Sequence, residues 1–112
     1  MASVVIISGP NEGDYYPLGT RPLVFGRDEG LSAQVLDELV SRKHLQIRLD
    51  EKSNRYLALD MKSANGVFVN SRKIASEVEL HDGDEIEIGK SKIMFSIQDF
   101  KDRTNALNHW LV

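Results

Sequence analysis

Short apolar runs separated by turn-forming residues recur along most of the chain, and this pattern constrains the fold more than any other feature. Residues 44–49 and 85–88 alternate apolar and polar side chains, as in a strand with one buried face. Other strand-like runs cover residues 4–7, 15–18, 23–25, 34–36, 55–60, 66–70 and 93–97. Many short strands at close spacing predict an all-β fold arranged as an antiparallel β-sandwich.

Composition limits the class of protein and its partners. A length of 112 residues, of which 41% are hydrophobic, fits one domain with one core. The formal net charge of -3 gives no global attraction to nucleic acid. The chain has no cysteine and no apolar run of membrane-spanning length, and its first residues lack the basic leader of a signal peptide. We therefore expect a cytoplasmic protein that binds no metal, cofactor, nucleic acid or membrane.

Three polar clusters interrupt the strand-like pattern. They are Gly26-Arg27, the run Ser-Arg-Lys-His at residues 41–44, and Asn65-Gly66 followed by Asn70. Each lies in or beside a predicted turn, and loop ends of a β scaffold are where binding sites are usually built. An arginine, a serine hydroxyl and an asparagine amide are also the donors that a phosphate-bearing peptide requires.

The order of these clusters resembles the forkhead-associated (FHA) domain family, whose hallmark is Gly-Arg, then Ser-x-x-His, then Asn-Gly, then a further Asn. Residues 80–89, Leu-His-Asp-Gly-Asp-Glu-Ile-Glu-Ile-Gly, are similar to the penultimate strand segment of that family. The resemblance covers residues 3–99. It implies an FHA/SMAD-like sandwich of about eleven strands, with the binding loops at one end.

The resemblance also implies a function. FHA domains are non-catalytic modules that bind phosphothreonine-containing protein segments, and they act as adaptors in Ser/Thr kinase signalling. The expected partner is thus a phosphorylated protein, either a Ser/Thr kinase or its substrate. We divide the chain into an FHA-like domain at residues 1–99 and a C-terminal tail at residues 100–112. In the tail Leu107, Trp110 and Leu111 could share one face of a short helix.

Individual roles follow from the matching positions of the family. The expected phosphate ligands are Arg27, Ser41 and Arg42, and Asn65 is expected to hold the peptide main chain. The residues expected to fix the shapes of the loops are Gly26, His44, Gly66 and Asn70.

The chain departs from the family pattern at one position of the predicted site. Many members have a threonine or serine before the asparagine, where this chain has Ala64. Either that hydroxyl is lost, or Ser63 replaces it as a phosphate ligand from a shifted position. Lys43, Arg72 or Lys73 could compensate with positive charge if any of them faces the site.

The loop at residues 37–40 precedes Ser41, and such loops select later peptide residues in the family. Its two acids, Asp37 and Glu38, are expected to disfavour an acidic peptide at the positions they face.

Two alternatives remain open. The chain could be an interaction or oligomerisation scaffold that works without phosphate. It could also be a hydrolase that uses Ser41 and His44 as nucleophile and base, but no third orienting residue is identifiable. We therefore predict that the protein is not an enzyme.

Overall fold

Eleven β-strands make up the regular structure of the computed structural model, which describes residues 2–97. They are β1 (Ala2–Ser8), β2 (Tyr15–Leu18), β3 (Leu23–Gly26), β4 (Ala33–Gln34), β5 (Leu45–Asp50), β6 (Arg55–Asp60), β7 (Val67–Val69), β8 (Arg72–Lys73), β9 (Val78–Glu79), β10 (Glu85–Ile88) and β11 (Ser91–Ser96). The all-β prediction is therefore confirmed. The predicted tail or helix at residues 100–112 lies outside the described residues. Between residues 2 and 97 no helix has the length and apolar character needed to cross a membrane.

The strands form two sheets that pack as a sandwich. The first sheet has the order β2-β1-β11-β10-β7-β8, and the second has the order β4-β3-β5-β6-β9. The described pairs are antiparallel, as predicted, except for β3 and β4, which run parallel with Phe25 opposite Ala33 and Gly26 opposite Gln34. That short parallel pairing brings the end of β3, and with it Arg27, beside the chain that leads to Ser41.

Alternating residues of both sheets fill the space between them. Ile86 and Ile88 of β10 and Leu45 and Ile47 of β5 are almost fully buried, as the alternation predicts. Two aromatic pairs join the sheets: Tyr16 meets Phe25 with ring centroids 5.7 Å apart, and Tyr56 meets Phe95 at 5.8 Å. The core therefore provides a fixed base for the loops at either end of the strands.

The hairpin between β7 and β8 is pinned by Asn70. Both Asn70 and Ser71 have positive φ angles, 51° and 69°, as a two-residue type I′ hairpin requires. The Asn70 side chain donates to Asp84 Oδ1 at 2.9 Å and accepts from the Glu85 backbone nitrogen at 3.1 Å. Asn70 thereby ties this turn to the start of β10, far along the strands from Arg27.

Candidate functional site

Three loops converge at one end of the sandwich and bring the predicted site residues together. The Arg27 backbone nitrogen donates to the Ser41 carbonyl oxygen at 3.0 Å. The Ala64 backbone nitrogen donates to Ser41 Oγ at 3.0 Å, and Asn65 Nδ2 donates to the Leu39 carbonyl oxygen at 2.8 Å. The loops after β3, before β5 and before β7 are thus linked directly by hydrogen bonds.

Gly26 allows the first two of these loops to approach each other. A Cβ atom at Gly26 would overlap the backbone carbonyl oxygen of Arg42, which also accepts from the Asp28 backbone nitrogen at 3.3 Å. The φ angle of Gly26 is not in the left-handed region, so its loop-shaping role does not come from the backbone freedom of glycine. The requirement for glycine is instead steric, because the Arg42 carbonyl occupies the place of a side chain.

Arg27 is exposed and its side chain is oriented by the neighbouring loop. Its Nε donates to the Val40 carbonyl oxygen at 2.9 Å, which leaves the two terminal nitrogens of the guanidinium as further donors. Arg27 and Arg42 line a polar hollow of about 310 Å³ together with Asp28, Glu29 and Gln34. The formal charges of this lining cancel, so a preference for an anion would have to come from the geometry of the arginine donors and not from net charge.

Ser41 has its hydroxyl oriented by the loop before β7. Because Ser41 Oγ accepts from the Ala64 backbone nitrogen, its own hydrogen remains available to a ligand. This contact also gives Ala64 a structural part in the site through its backbone, although its side chain has no hydroxyl.

His44 is fully buried and joins two of the loops. Its Nδ1 accepts from the Ser41 backbone nitrogen at 3.0 Å, so in the neutral ring Nε2 carries the hydrogen and donates to the Gly66 carbonyl oxygen at 2.7 Å. Both ring nitrogens are therefore occupied by backbone groups. Neither is placed to take a proton from Ser41 Oγ, and the geometry gives no support to a serine hydrolase.

The turn at residues 63–66 is held by two hydrogen bonds that involve Ser63. Ser63 Oγ accepts from the Gly66 backbone nitrogen at 2.9 Å, and the Ser63 backbone nitrogen donates to Asp60 Oδ1 at 2.9 Å. Gly66 has a φ angle of 86°, a backbone conformation that a residue with a side chain would adopt only with strain. The Ser63 hydroxyl thus shapes this turn, and sequence reasoning had considered it only as a phosphate ligand.

Of the three cations considered as substitutes for the missing hydroxyl, Lys73 lies against the Asn65-Gly66 turn. A Cβ atom built on Gly66 would lie 2.7 Å from Lys73 Cε and 3.5 Å from Nζ. Arg72 precedes Lys73 in β8, so its side chain points to the opposite face of the sheet.

Asp37 has a role that the sequence did not indicate. Only 4% of this residue is exposed, and its carboxylate accepts hydrogen bonds from the Leu39 nitrogen at 2.9 Å, the Lys90 nitrogen at 2.7 Å and Ser91 Oγ at 2.9 Å. Burial works to raise the pKa of Asp37, but these hydrogen bonds outweigh it and hold the pKa below its ordinary value. The expectation that Asp37 faces a peptide is therefore wrong, and of the two acids only Glu38 is exposed.

Replacing Gly26 by alanine tests the steric argument. We expect Gly26→Ala to lower the free energy of unfolding by about 1–3 kcal/mol, because the new Cβ pushes the Arg42 carbonyl away. Urea denaturation measures this loss. Gly30→Ala is the matched control, since a Cβ there would meet Asp28 Oδ1 at an ordinary 3.5 Å. Equal stability of the two variants would remove the steric explanation.

The eleven-stranded sandwich with these loops at one end has the form that the sequence resemblance implied. The sequence model of the FHA domain family matches residues 23–89, and the chain therefore belongs to the FHA family. This confirms the family assigned from the sequence motifs.

The chain is also similar to individual proteins. It is 35% identical over 94 residues to the glycogen accumulation regulator GarA of Mycobacterium tuberculosis, covering 84% of this chain and 56% of GarA. The chain thus spans about half the length of this relative.

Two solved structures superpose closely on the fold. One comes from a structural and functional analysis of phosphothreonine-dependent FHA domain interactions, with a TM-score of 0.76, 30% identity, and coverage of 88% of this chain and 98% of that one. The other is Mycobacterium tuberculosis EmbR in complex with a low affinity phosphopeptide, with a TM-score of 0.77, 31% identity, and coverage of 89% of this chain and 25% of that one.

Proposed function

We propose that this domain binds phosphothreonine-containing protein segments and catalyses no reaction. The observation that carries the proposal is the convergence of Arg27, Ser41 and Arg42 at one rim, with the Arg27 guanidinium oriented by the Val40 carbonyl. The partner is a phosphorylated Ser/Thr kinase or one of its substrates, and the domain acts as an adaptor in the cytoplasm.

A phosphothreonine has close to two negative charges and three strong acceptor oxygens. We assign two of these oxygens to the terminal nitrogens of Arg27, whose planar fork can meet both at once. The Ser41 hydroxyl donates to an oxygen from the other side, and Arg42 adds a second positive charge. Each charge-assisted hydrogen bond contributes about 1.5–3 kcal/mol.

The peptide main chain is assigned to Asn65. Its amide nitrogen already bonds to the Leu39 carbonyl, so the side-chain position is fixed before a peptide binds. The side-chain oxygen can then accept from a peptide N–H. Lys73 stands beside this turn and adds charge at the point where Ala64 provides no hydroxyl. Preorganised loops of this kind lower the entropic cost of binding.

The known relatives support this assignment. GarA is named as a regulator, and the EmbR structure contains a phosphopeptide bound to that protein. The similarity extends over the loops that hold the site residues, because the family match covers residues 23–89.

The decisive experiment compares one peptide in two states. We expect a phosphothreonine peptide, selected from a randomised phosphothreonine library, to bind at least about 100-fold more tightly than its unphosphorylated form, since two or more charge-assisted bonds depend on the phosphate. Isothermal titration calorimetry measures both affinities, and the library reveals the preferred flanking residues.

One specific observation favours a second candidate, binding without phosphate. Leu36 and Leu39 are large apolar residues with 60% and 43% of their surface exposed, and they lie on the loop next to the site. An apolar surface of this kind suits a protein contact that needs no charge. Equal affinity for the phosphorylated and unphosphorylated peptides would support this scaffold function and refute phosphate recognition.

A further inference from the structure

The Asn65-Gly66 turn has a chemical reactivity that is separate from its place beside the phosphate site. Asn65 is the only asparagine of the chain that is followed by glycine. Because glycine has no Cβ atom to hinder the approach, its backbone nitrogen can attack the side-chain carbonyl carbon of the preceding asparagine. Asn65 is also exposed, so water and hydroxide can reach it. Its neighbour and its exposure therefore make Asn65 a candidate site of deamidation.

Deamidation at this position needs no reactant other than water. The Gly66 nitrogen forms a bond to Asn65 Cγ, the bond from Cγ to Nδ2 breaks, and the proton of the Gly66 nitrogen is transferred to the departing Nδ2, which leaves as ammonia. Water then opens the resulting cyclic imide at one of its two carbonyl groups. Opening at the side-chain carbonyl gives aspartate, and opening at the main-chain carbonyl gives isoaspartate.

Three hydrogen bonds of the folded chain oppose the first step. The Gly66 nitrogen, which has to attack, donates its hydrogen to Ser63 Oγ at 2.9 Å. Asn65 Nδ2, which has to leave, donates to the Leu39 carbonyl oxygen at 2.8 Å. The Gly66 carbonyl oxygen accepts from His44 Nε2 at 2.7 Å, which fixes the next peptide unit. Because the bonds to Ser63 and Leu39 must break before the imide forms, the folded loop slows the reaction.

We propose that Asn65 is a deamidation site which the Ser63 hydroxyl holds in a slowly reacting state, and that its conversion disables the peptide site. An ionised aspartate has no hydrogen to donate to the Leu39 carbonyl, so the link between the two loops is lost. Isoaspartate also lengthens the main chain of the turn. Both products add a negative charge close to Ser41, whose hydroxyl is assigned to the phosphate. The effect on peptide binding rests on the proposed function, whereas the reaction at Asn65 does not.

Peptide mapping by mass spectrometry measures the conversion of Asn65 when the full chain is incubated in mildly alkaline buffer. Ser63→Ala removes the acceptor of the Gly66 hydrogen. We expect it to speed the conversion about three- to tenfold, the factor that one net hydrogen bond represents in a rate. Ser63→Thr keeps a hydroxyl and should keep the slow rate. Ser53→Ala is the matched control, because the Ser53 hydroxyl donates to Asp50 in the β5–β6 hairpin and should not affect Asn65.

Asn70 serves as a reference within the chain for loss of folding. It lies in the β7–β8 hairpin, where its side chain donates to Asp84 Oδ1, and a general opening of the fold would speed its conversion as well. Equal rates at Asn65 in the parent protein and in Ser63→Ala would overturn the proposal. A rise that Asn70 shares would also overturn it, because the effect would then not be specific to the turn that Ser63 holds.

The parent protein provides a second test that needs no variant. Asn65 should react at least about tenfold more slowly in the folded chain than in a synthetic peptide of residues 60–70, because two hydrogen bonds must break first. Equal rates in the protein and the peptide would mean that the fold gives Asn65 no protection, which contradicts the proposal.

The consequence for binding is measured with Asn65→Asp, which reproduces one of the two products. We expect this variant to bind the phosphothreonine peptide selected from the library at least about tenfold more weakly than the parent protein. Unchanged affinity would refute the consequence for the peptide site. A parent protein that bound no phosphopeptide would refute the proposed function instead, and the rates measured at Asn65 would still decide the role of Ser63.

Discussion

Arg27→Ala is expected to weaken binding of a phosphothreonine peptide by about 100-fold, which corresponds to about 3 kcal/mol of lost charge-assisted hydrogen bonding. The expected loss is large because the Val40 carbonyl already orients the guanidinium, so both terminal nitrogens can meet the phosphate without rearrangement. Calorimetry with the peptide chosen from the library measures the change. Circular dichroism should report an intact fold, since Arg27 is exposed and outside the core.

One further variant separates charge from geometry at this position, and a second variant is a control at a distant arginine. Arg27→Lys keeps the positive charge but loses the planar fork, and we expect it to retain part of the affinity. Arg21→Ala removes another exposed arginine, which lies outside the three converging loops, and should leave binding unchanged. If Arg27→Ala bound the peptide as well as the parent protein, the phosphate would have to bind at another position or contribute nothing.

Several strands could be located from the sequence with the bounds that the structure gives, although only β10 among them alternates strictly between buried and partly exposed residues. The predicted runs at residues 15–18, 55–60 and 85–88 coincide with β2, β6 and β10. Strands β8 and β9 were missed because each has two residues and neither displays an apolar alternation. They exist because a neighbouring strand offers backbone partners: β7 pairs with β8, and β6 pairs with β9. A strand that depends on such pairing cannot be recognised from its own two residues.

The site was predictable as a set of residues but not as a set of contacts. The motifs placed Arg27, Ser41 and Asn65 in loops, and the structure brings those loops together. The motifs could not reveal that Ser63 closes its own turn, because a serine can serve as donor or acceptor in many local geometries. They also could not reveal the inward orientation of Asp37, because two of its three partners, Lys90 and Ser91, lie more than fifty residues away, where the β10–β11 turn leads into β11.

Asp37 anchors the loop that orients Arg27, and its replacement should therefore reduce stability strongly. We expect Asp37→Asn to lower the free energy of unfolding by about 2–4 kcal/mol at pH 7. An amide presents an NH₂ group to one of the donors from Leu39, Lys90 or Ser91, so at least one buried hydrogen bond is lost or reversed. Urea denaturation measures the loss. Glu38→Gln removes an exposed carboxylate from the adjacent position and should change stability by no more than about 0.5 kcal/mol.

The pH dependence of this loss identifies its origin. The pKa of Asp37 is lower in the folded protein than in the unfolded chain, so the unfolded state binds the proton more tightly. The stabilisation by Asp37 is therefore complete above the ordinary aspartate pKa and disappears as the pH falls through the lowered folded value. The stability difference between the parent protein and Asp37→Asn should accordingly be largest near neutral pH and shrink in acid. A difference that stayed constant down to the lowest pH at which both proteins fold would mean that the ionised carboxylate is not the stabilising group.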